Sequence, residues 1–151
     1  MFRVLLALCL AVTLSGCLSI FATAGSAYKG YKQSWGTYVA HANVNTVCLT
    51  PKLRLAIAQF EGHFGRKIVM NSGYRDPFYN GKVGGADGSY HTKCMAADFF
   101  IPGVPKSRLI AFAKSNRTVG GLGCYPGRDF IHIDVRDRPR GWRKPVTFSG
   151  C

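Results

Sequence analysis

Two short runs of the sequence each pair a histidine with an aspartate at a spacing suited to metal chemistry. In the first run, His91 precedes Asp98 by seven residues, and a small apolar stretch leads into the acid. In the second, His132 and Asp134 share one face of a strand-like run, since alternate residues of a strand point the same way. Two separated clusters of this kind predict a mononuclear zinc hydrolase, which needs three protein ligands and one position for water.

The predicted metal ligands are His91, Asp98 and His132, which match the three nitrogen or oxygen ligands of a catalytic zinc site. Such a metal lowers the pKa of a bound water to about 7, and a base must then accept the proton. Asp134 is the preferred base because it lies on the same strand face as His132. Asp129, three residues before His132, is the competing candidate.

The first residues have the pattern of a secretion signal. Arg3 supplies the positive charge near its start, and the apolar run that follows, residues 4–13, is too short for a stable transmembrane helix. Two cleavage patterns compete: a lipobox ending at Cys17, whose lipidation would attach the chain to a membrane, and small-residue sites at 22–24 and 25–27. We therefore expect residues 1–27 to be a signal peptide. The protein would be exported, either periplasmic or a membrane-anchored lipoprotein facing the cell wall.

Four cysteines remain beyond the signal, and in an exported chain they predict two disulfides with three possible pairings. We expect Cys94–Cys124, which would tie the two metal segments together, and Cys48–Cys151, which would hold the C-terminus. The opposing possibility is that Cys94 or Cys124 is a zinc ligand. That role needs a free thiolate, which an oxidising compartment disfavours.

The chain is strongly basic, with a formal net charge of +13. Such a charge favours acidic partners such as nucleic acid, anionic lipid or an anionic cell-wall polymer. Export argues against nucleic acid, so cell-wall peptides and glycan-linked acids fit better as partners, and we expect the chain to act as a monomer. The charge is densest in residues 136–144, most of which are expected to form a solvated surface.

The region after the signal has about 125 residues, the size of one domain. Residues 28–47 are polar without clear periodicity and predict a linker or an N-terminal arm lying on the domain, which leaves 48–151 as the domain that carries the metal motifs. Thr50 and Gly65 are expected to cap the start and the end of a helix that opens with Pro51. The further predicted elements are strand 67–71, loop 72–88, strand 95–101, helix 105–116 and strand 129–135. This order predicts an α+β domain with a small antiparallel sheet flanked by helices.

The motifs resemble those of the zinc D-alanyl-D-alanine carboxypeptidases, which belong with the lysostaphin-like and Hedgehog-like metallopeptidases. The similar segments are Ser-Gly-Tyr-Arg-Asp-Pro at 72–77, Asn80, Val-Gly-Gly-Ala at 83–86, and Ser-x-His-x-x-Cys-x-Ala-x-Asp at 89–98. The resemblance spans roughly residues 50–145. Within it, the run 121–136 with its His-x-Asp motif resembles a branch of murein endopeptidases.

The resemblance implies a Hedgehog/DD-peptidase-like fold in which His91, Asp98 and His132 bind zinc. It also implies that Arg75 faces the substrate and stabilises a peptide carboxylate or a developing oxyanion, a role suited to a rigid guanidinium fork. An ordinary surface ion pair of Arg75 with Asp76 or Asp87 is the alternative.

Two residues depart from the family pattern. Cys94 occupies the position of a glycine, which we attribute to the expected disulfide. The motif His132-x-Asp134 replaces the Glu-x-x-x-His or His-x-His of many relatives. Asp134 as the third ligand, with His132 in a supporting role, therefore remains an alternative.

Together these patterns predict an exported zinc metallopeptidase that cleaves murein stem peptides or cross-links. The nearest alternative is a D-alanyl-D-alanine carboxypeptidase that only trims peptide ends. An alternative of another class is a non-catalytic module that binds the cell wall through its basic surface.

Overall fold

The computed structural model describes residues 26–151. The chain divides into two units, of which the first ends at Gly30 and the second is Tyr31–Cys151. The described part of the first unit is a turn in which the Lys29 N–H donates to the Ser26 carbonyl. The lipobox at Cys17 and all but the last two residues of the predicted signal peptide lie outside the described residues.

A seven-stranded sheet forms the centre of the second unit, in the order β1-β2-β3-β4-β6-β5-β7. Its strands are β1 (Lys32–Ser34), β2 (Thr37–Val39), β3 (Val69–Ser72), β4 (Ala96–Phe100), β5 (Gly121–Gly123), β6 (Ile131–Asp134) and β7 (Val146–Phe148). Neighbours are antiparallel except for the parallel pairs β2–β3 and β5–β7. The predicted α+β class with a mainly antiparallel sheet is confirmed.

The described residues form three α-helices: α1 (Pro51–Phe64), α2 (Pro77–Lys82) and α3 (Lys106–Ser115). Helix α1 has the predicted caps, since the Thr50 hydroxyl accepts from Leu53 N–H and Gly65 ends the helix at a φ of 61°. None of the described helices has both the length and the apolar character needed to cross a membrane.

Helix α2 lies inside the segment 72–88, where a loop was expected. Asp76 accepts a hydrogen bond from Tyr79 N–H, and Pro77 occupies the first turn. This is the same polar cap followed by proline that begins α1, so a local signal was present. The helix is short, and its apolar spacing is too brief to produce a clear helical period.

Residues 28–47, for which a linker or an N-terminal arm was predicted, contain β1 and β2, and β2 joins this segment to the sheet. Val39 is buried, and β2 pairs in parallel with β3. Beyond β2, the Asn45 carbonyl accepts a 2.8 Å hydrogen bond from Tyr74 N–H. Strands of three residues contain too few alternations to stand out in the sequence.

The inner face of the sheet packs on helices α1 and α3. Residues at alternate positions of β4, β5 and β6 point to this face and are fully buried: Ala97, Phe99, Leu122, Ile131 and Ile133. Phe60 of α1 packs edge-on against Phe99, with ring centroids 5.0 Å apart. The residues between them on each strand therefore point to the opposite face, where the polar residues of the sequence motifs lie.

The disulfides are Cys48–Cys94 and Cys124–Cys151, so the predicted pairing of Cys94 with Cys124 and Cys48 with Cys151 is wrong. Cys124 directly follows β5, and Cys151 lies close beyond β7. Because these two strands are neighbours in the sheet, their ends bring the two cysteines together. All four sulfurs are used in disulfides, which also excludes Cys94 and Cys124 as zinc ligands.

Candidate metal centre

Strand register places the two predicted ligands of the sheet side by side. Asp98 in β4 lies directly opposite His132 in β6. Ser72 in β3 lies opposite Asp98 on the other side, and Gly123 in β5 lies opposite His132. Four strands thus contribute one row of residues across the outer face of the sheet. The backbone hydrogen bonds of these strands fix the spacing between Asp98 and His132.

The third ligand candidate, His91, is positioned by a 3-10 helix, Tyr90–Lys93, that precedes β4. The Ser89 hydroxyl caps this helix by accepting from His91 N–H at 3.4 Å. The imidazole of His91 is buried, and its Nδ1 lies 2.6 Å from the Gly73 carbonyl oxygen. A carbonyl only accepts, so Nδ1 carries the proton and Nε2 presents its lone pair to the other ligands.

The three predicted ligands converge on a single point. His91 Nε2 lies 3.2 Å from Asp98 Oδ1 and 3.1 Å from His132 Nδ1, and His132 Nδ1 lies 2.8 Å from Asp98 Oδ1. One ligand atom from each of the three residues lies within 4.8 Å of the others. All three side chains are buried.

The chemistry of this donor set fits a metal ion. Two ring nitrogens and a carboxylate oxygen face one another, and such a buried group of lone pairs needs a proton or a cation between its members. Two imidazoles and one carboxylate are also a known ligand set of catalytic zinc. His91, Asp98 and His132 could therefore hold a metal ion together.

Asp134 lies behind His132, on the side away from the other ligands. Its Oδ2 is 3.3 Å from His132 Nε2, whereas Nδ1 of the same ring faces Asp98. The carboxylate is fully buried and accepts two hydrogen bonds from the Arg136 side chain, at 2.8 and 2.5 Å, and a third from Arg136 N–H. Both oxygens of Asp134 are therefore occupied by partners within the protein.

Small residues on the same sheet face make room for this carboxylate. Ala96 and Gly121 lie opposite Asp134 in the two neighbouring strands. A Cβ at Gly121 would collide with Asp134 Oδ2 and Arg136 Nε, and a Cβ at Gly123 would crowd Phe148 and His132. The glycine-rich run before β6 is thus explained by the side chains it must accommodate.

The carboxylates of the site are held in the charged form. Burial by itself raises the pKa of Asp98, but its close contacts with the His132 and His91 rings outweigh burial and hold the pKa well below its usual value. The same balance acts on Asp134, where burial is outweighed by hydrogen bonds from His132 and Arg136, and the pKa falls to about 2. Both groups are therefore acceptors at neutral pH.

Arg75 binds the metal-ligand cluster directly. Its Nη2 donates to Asp98 Oδ2 at 2.7 Å, and its Nε donates to Ser72 Oγ at 2.8 Å. The alternative of a surface ion pair with Asp76 or Asp87 is wrong, since Asp98 is the partner. The third nitrogen, Nη1, makes no hydrogen bond with any residue in the described part of the chain.

A cleft of about 840 Å³ opens over the cluster. The three predicted ligands and Arg75 help to line it. Its remaining walls come mainly from the loop 83–90, the segment 125–130 and strand β7. Asp87, Arg128 and Arg136 contribute charged side chains to these walls. Neither Asp129 nor Asp134 lines the cleft, and Asp129 is exposed. The structure therefore brings together His91, Asp98, His132 and Arg75 at the cleft, with Asp134 behind it.

Residues 26–134 match the family model described as Peptidase M15. The chain belongs to this peptidase family. The match contains all three ligand candidates, Arg75 and Asp134, and it confirms the family resemblance predicted from the sequence motifs.

Two curated proteins that are similar to this M15 chain are named as endopeptidases. It is 37% identical over 94 residues to the peptidoglycan L,D-endopeptidase MepK of Escherichia coli K12, covering 58% of this chain and 51% of that protein. It is 49% identical over 74 residues to the probable peptidoglycan L,D-endopeptidase MepK of Haemophilus influenzae, covering 46% of this chain and 39% of that protein. The chain spans about half the length or less of these two relatives.

Sequence reasoning missed several residues that build the M15 site. Arg136 was counted among the basic surface residues, although an extended chain continuing two residues beyond Asp134 would have placed both side chains on one face. The Gly73 carbonyl left no signal, because a backbone acceptor is not a residue type. Tyr125 left none either. It lines the cleft at a φ of 40°, and burial, with the Asp98 and Asp134 charges, raises its pKa.

Proposed function

We propose that this chain is a zinc-dependent peptidase that hydrolyses amide bonds in peptidoglycan stem peptides or cross-links. The observation that carries the proposal is the His91–Asp98–His132 donor set at the floor of an open cleft, with Arg75 beside it. The activity for which the relatives are named favours an L,D-endopeptidase over a carboxypeptidase that removes a terminal D-alanine.

Three residues of the chain would hold the ion, and their neighbours fix which atoms face it. The Gly73 carbonyl holds the proton of His91 on Nδ1, so Nε2 is the ligand atom. Asp134 accepts from Nε2–H of His132, so Nδ1 is the ligand atom there. Bound zinc would acidify water and polarise a carbonyl at this position.

Arg75 would act on the substrate rather than on the ligands alone. Its Nη2 and Nε are fixed by Asp98 and Ser72, which aims the guanidinium without using Nη1. A fixed cation beside the reacting amide stabilises the negative charge that develops on the carbonyl oxygen. This role agrees with the one implied by the family resemblance.

We propose that Asp134 is a positioning residue in place of the base predicted from the sequence. Its oxygens are engaged by His132 and Arg136, and it is screened from the cleft by the His132 ring. Asp129, the competing candidate, is exposed and does not line the cleft. The proton released by the attacking water would therefore pass to a group that faces the cleft.

Purified protein incubated with murein sacculi tests the proposed activity. We expect zinc-dependent release of soluble muropeptides, and mass spectrometry of the products would identify the bond from the new termini. Free D-alanine as the sole product would favour the carboxypeptidase. Intact sacculi that retain the protein in a salt-sensitive complex would favour the non-catalytic wall-binding module.

Replacing Asp134 by asparagine should weaken zinc binding by about 10–100-fold, the usual effect of losing the partner of a metal-bound histidine. The neutral amide introduced by this change would no longer provide the charged acceptor for His132 Nε2–H. Competition with a chromophoric chelator measures the affinity, and the absorption bands of the cobalt-substituted protein report the ligand geometry.

Gly121→Ala provides an independent variant for the same role, since its methyl group would displace the Asp134 carboxylate without changing any charge. Like Asp134→Asn, this variant should bind zinc more weakly than the wild-type protein. Unchanged affinity and unchanged cobalt bands in both variants would contradict the positioning role of Asp134.

Replacing Arg75 by alanine should lower kcat by about 100–1000-fold, as expected for loss of a group that stabilises a developing oxyanion. Arg75→Lys keeps the charge but loses the fork, so it should recover only part of the rate. Zinc content, measured in parallel, should stay near one ion per chain in both variants. A full-rate Arg75→Ala protein would show that the guanidinium does not contact the reacting group.

We further propose that residues 1–27 direct export to the periplasm or to a lipid anchor at Cys17, and that the mature protein is monomeric. The two disulfides support an oxidising compartment. The mass of the mature N-terminal peptide would distinguish a lipidated Cys17 from cleavage after Ala24 or Ala27.

A further inference from the structure

Arginines outnumber aspartates among the residues that line the cleft. Arg75, Arg128 and Arg136 face Asp87 and Asp98. Two of these arginines already have carboxylate partners, since Arg75 is paired with Asp98 and Arg136 with the buried Asp134. The side chain of Arg128 makes no hydrogen bond or ion pair with any residue of the described chain, 26–151.

The backbone that carries Arg128 is nevertheless held in place. Lys106 Nζ donates to the carbonyl oxygens of Tyr125 and Arg128, at 2.8 and 2.7 Å. Arg128 N–H donates to the Tyr125 carbonyl at 3.1 Å, which closes a turn. The adjacent Cys124 is anchored by its disulfide to Cys151. Because the turn is already fixed, only the Arg128 side chain, and not its backbone, has to be ordered when a ligand binds.

We propose that Arg128 binds a free carboxylate of the peptide substrate, so that the enzyme prefers acidic stem peptides over their amidated forms. This inference rests on the proposed function and adds the substrate class. A guanidinium matches a carboxylate through two parallel N–H···O bonds. Arg75 and Arg136 are already paired with Asp98 and Asp134, so within residues 26–151 Arg128 is the cleft arginine whose charge has no carboxylate partner. The carboxylate is either a side-chain group within the peptide or the group at its C-terminus.

Synthetic murein stem peptides with each carboxylate either free or amidated test the proposal. Binding to the zinc-loaded protein is measured by calorimetry, and kcat/KM is measured for the same peptides. We expect the free acid to bind about tenfold more tightly than the amide at one position, as is usual for a hydrogen bond to a charged group. The position at which amidation matters distinguishes a side-chain carboxylate from the terminal one.

Arg128→Ala should bind the acid and the amide equally, whereas Arg128→Lys should retain part of the preference. Arg117→Ala is the matched control, because Arg117 is an exposed arginine that does not line the cleft. It should keep the full preference. The preference of the wild-type protein for the acid should also shrink at high salt, since the Arg128 guanidinium is exposed to solvent.

Equal affinity of the wild-type protein for acid and amide at every position would overturn the proposal, as would an Arg128→Ala protein that keeps the wild-type preference. Either result would leave muropeptide release from sacculi, and with it the proposed function, untouched. Conversely, a preference for acids that depends on Arg128, without cleavage of any peptide, would support the binding site and contradict the peptidase.

Discussion

His91→Ala and Asp98→Ala should each reduce bound zinc from about one ion per chain to a level near zero after dialysis. Each change removes one of three converging ligand atoms, so the loss of affinity should exceed the about 10–100-fold effect of changing an outer partner. Muropeptide release should disappear together with the metal. Atomic absorption of the dialysed protein measures the first effect, and chromatography of sacculus digests measures the second.

His63→Ala is the control for these variants. His63 is an exposed histidine of α1 that stacks on Phe112, with ring centroids 4.2 Å apart, and it lies outside the cleft lining. It should keep zinc and activity. Full zinc content in His91→Ala would mean that the ion binds elsewhere, and both the ligand set and the reaction built on it would then be wrong.

Cys48→Ser combined with Cys94→Ser should lower the free energy of unfolding by about 4 kcal/mol. The disulfide joins residues separated by 46 positions, and closing a loop of that length removes much conformational freedom from the unfolded chain. It also fixes the residue after the 3-10 helix that carries His91. Urea denaturation in the presence of a chelator measures the effect without the stabilisation that bound metal would add.

The paired variant Cys48→Ser with Cys94→Gly separates the cross-link from the backbone. Cys94 has a φ of 59°, which costs a residue with a Cβ roughly 1 kcal/mol and costs glycine little. The glycine variant should therefore be about 1 kcal/mol more stable than the serine variant. Equal stability of both variants and the wild type would show that this disulfide does not constrain the unfolded chain.

This left-handed conformation also explains the departure from the family pattern noted in the sequence. The family has glycine where this chain has Cys94, because the 3-10 helix ends there with a positive φ. The prediction that the cysteine reflects a disulfide was right, but the partner was wrong. Cys48 was not recognised as the partner of Cys94, because the two are brought together by a tertiary contact. The chain from Cys48 to the start of α1 lies against the turn after His91, where Thr50 N–H donates to the Cys94 carbonyl at 3.0 Å.

Local signals were sufficient for much of the fold. The caps of α1 and the apolar cores of β4 and β6 were predicted within a few residues, because their periods depend on near neighbours in the chain. Strands β5 and β7 were not predicted. Glycine is depleted in strands, so Gly121–Gly123 has the composition of a loop and becomes a strand only through pairing with β6 and β7.

The identity of the ligand candidates was determined by the sequence alone, since residue type and alternation placed His91, Asp98 and His132 in recognisable motifs. Their arrangement was decided by tertiary structure. The β4–β6 register places Asp98 beside His132, and only the folded sheet shows that Asp134 lies behind the histidine with Arg136. Such contacts depend on which strands are neighbours, and strand order is set by the packing of the whole domain rather than by any local stretch of chain.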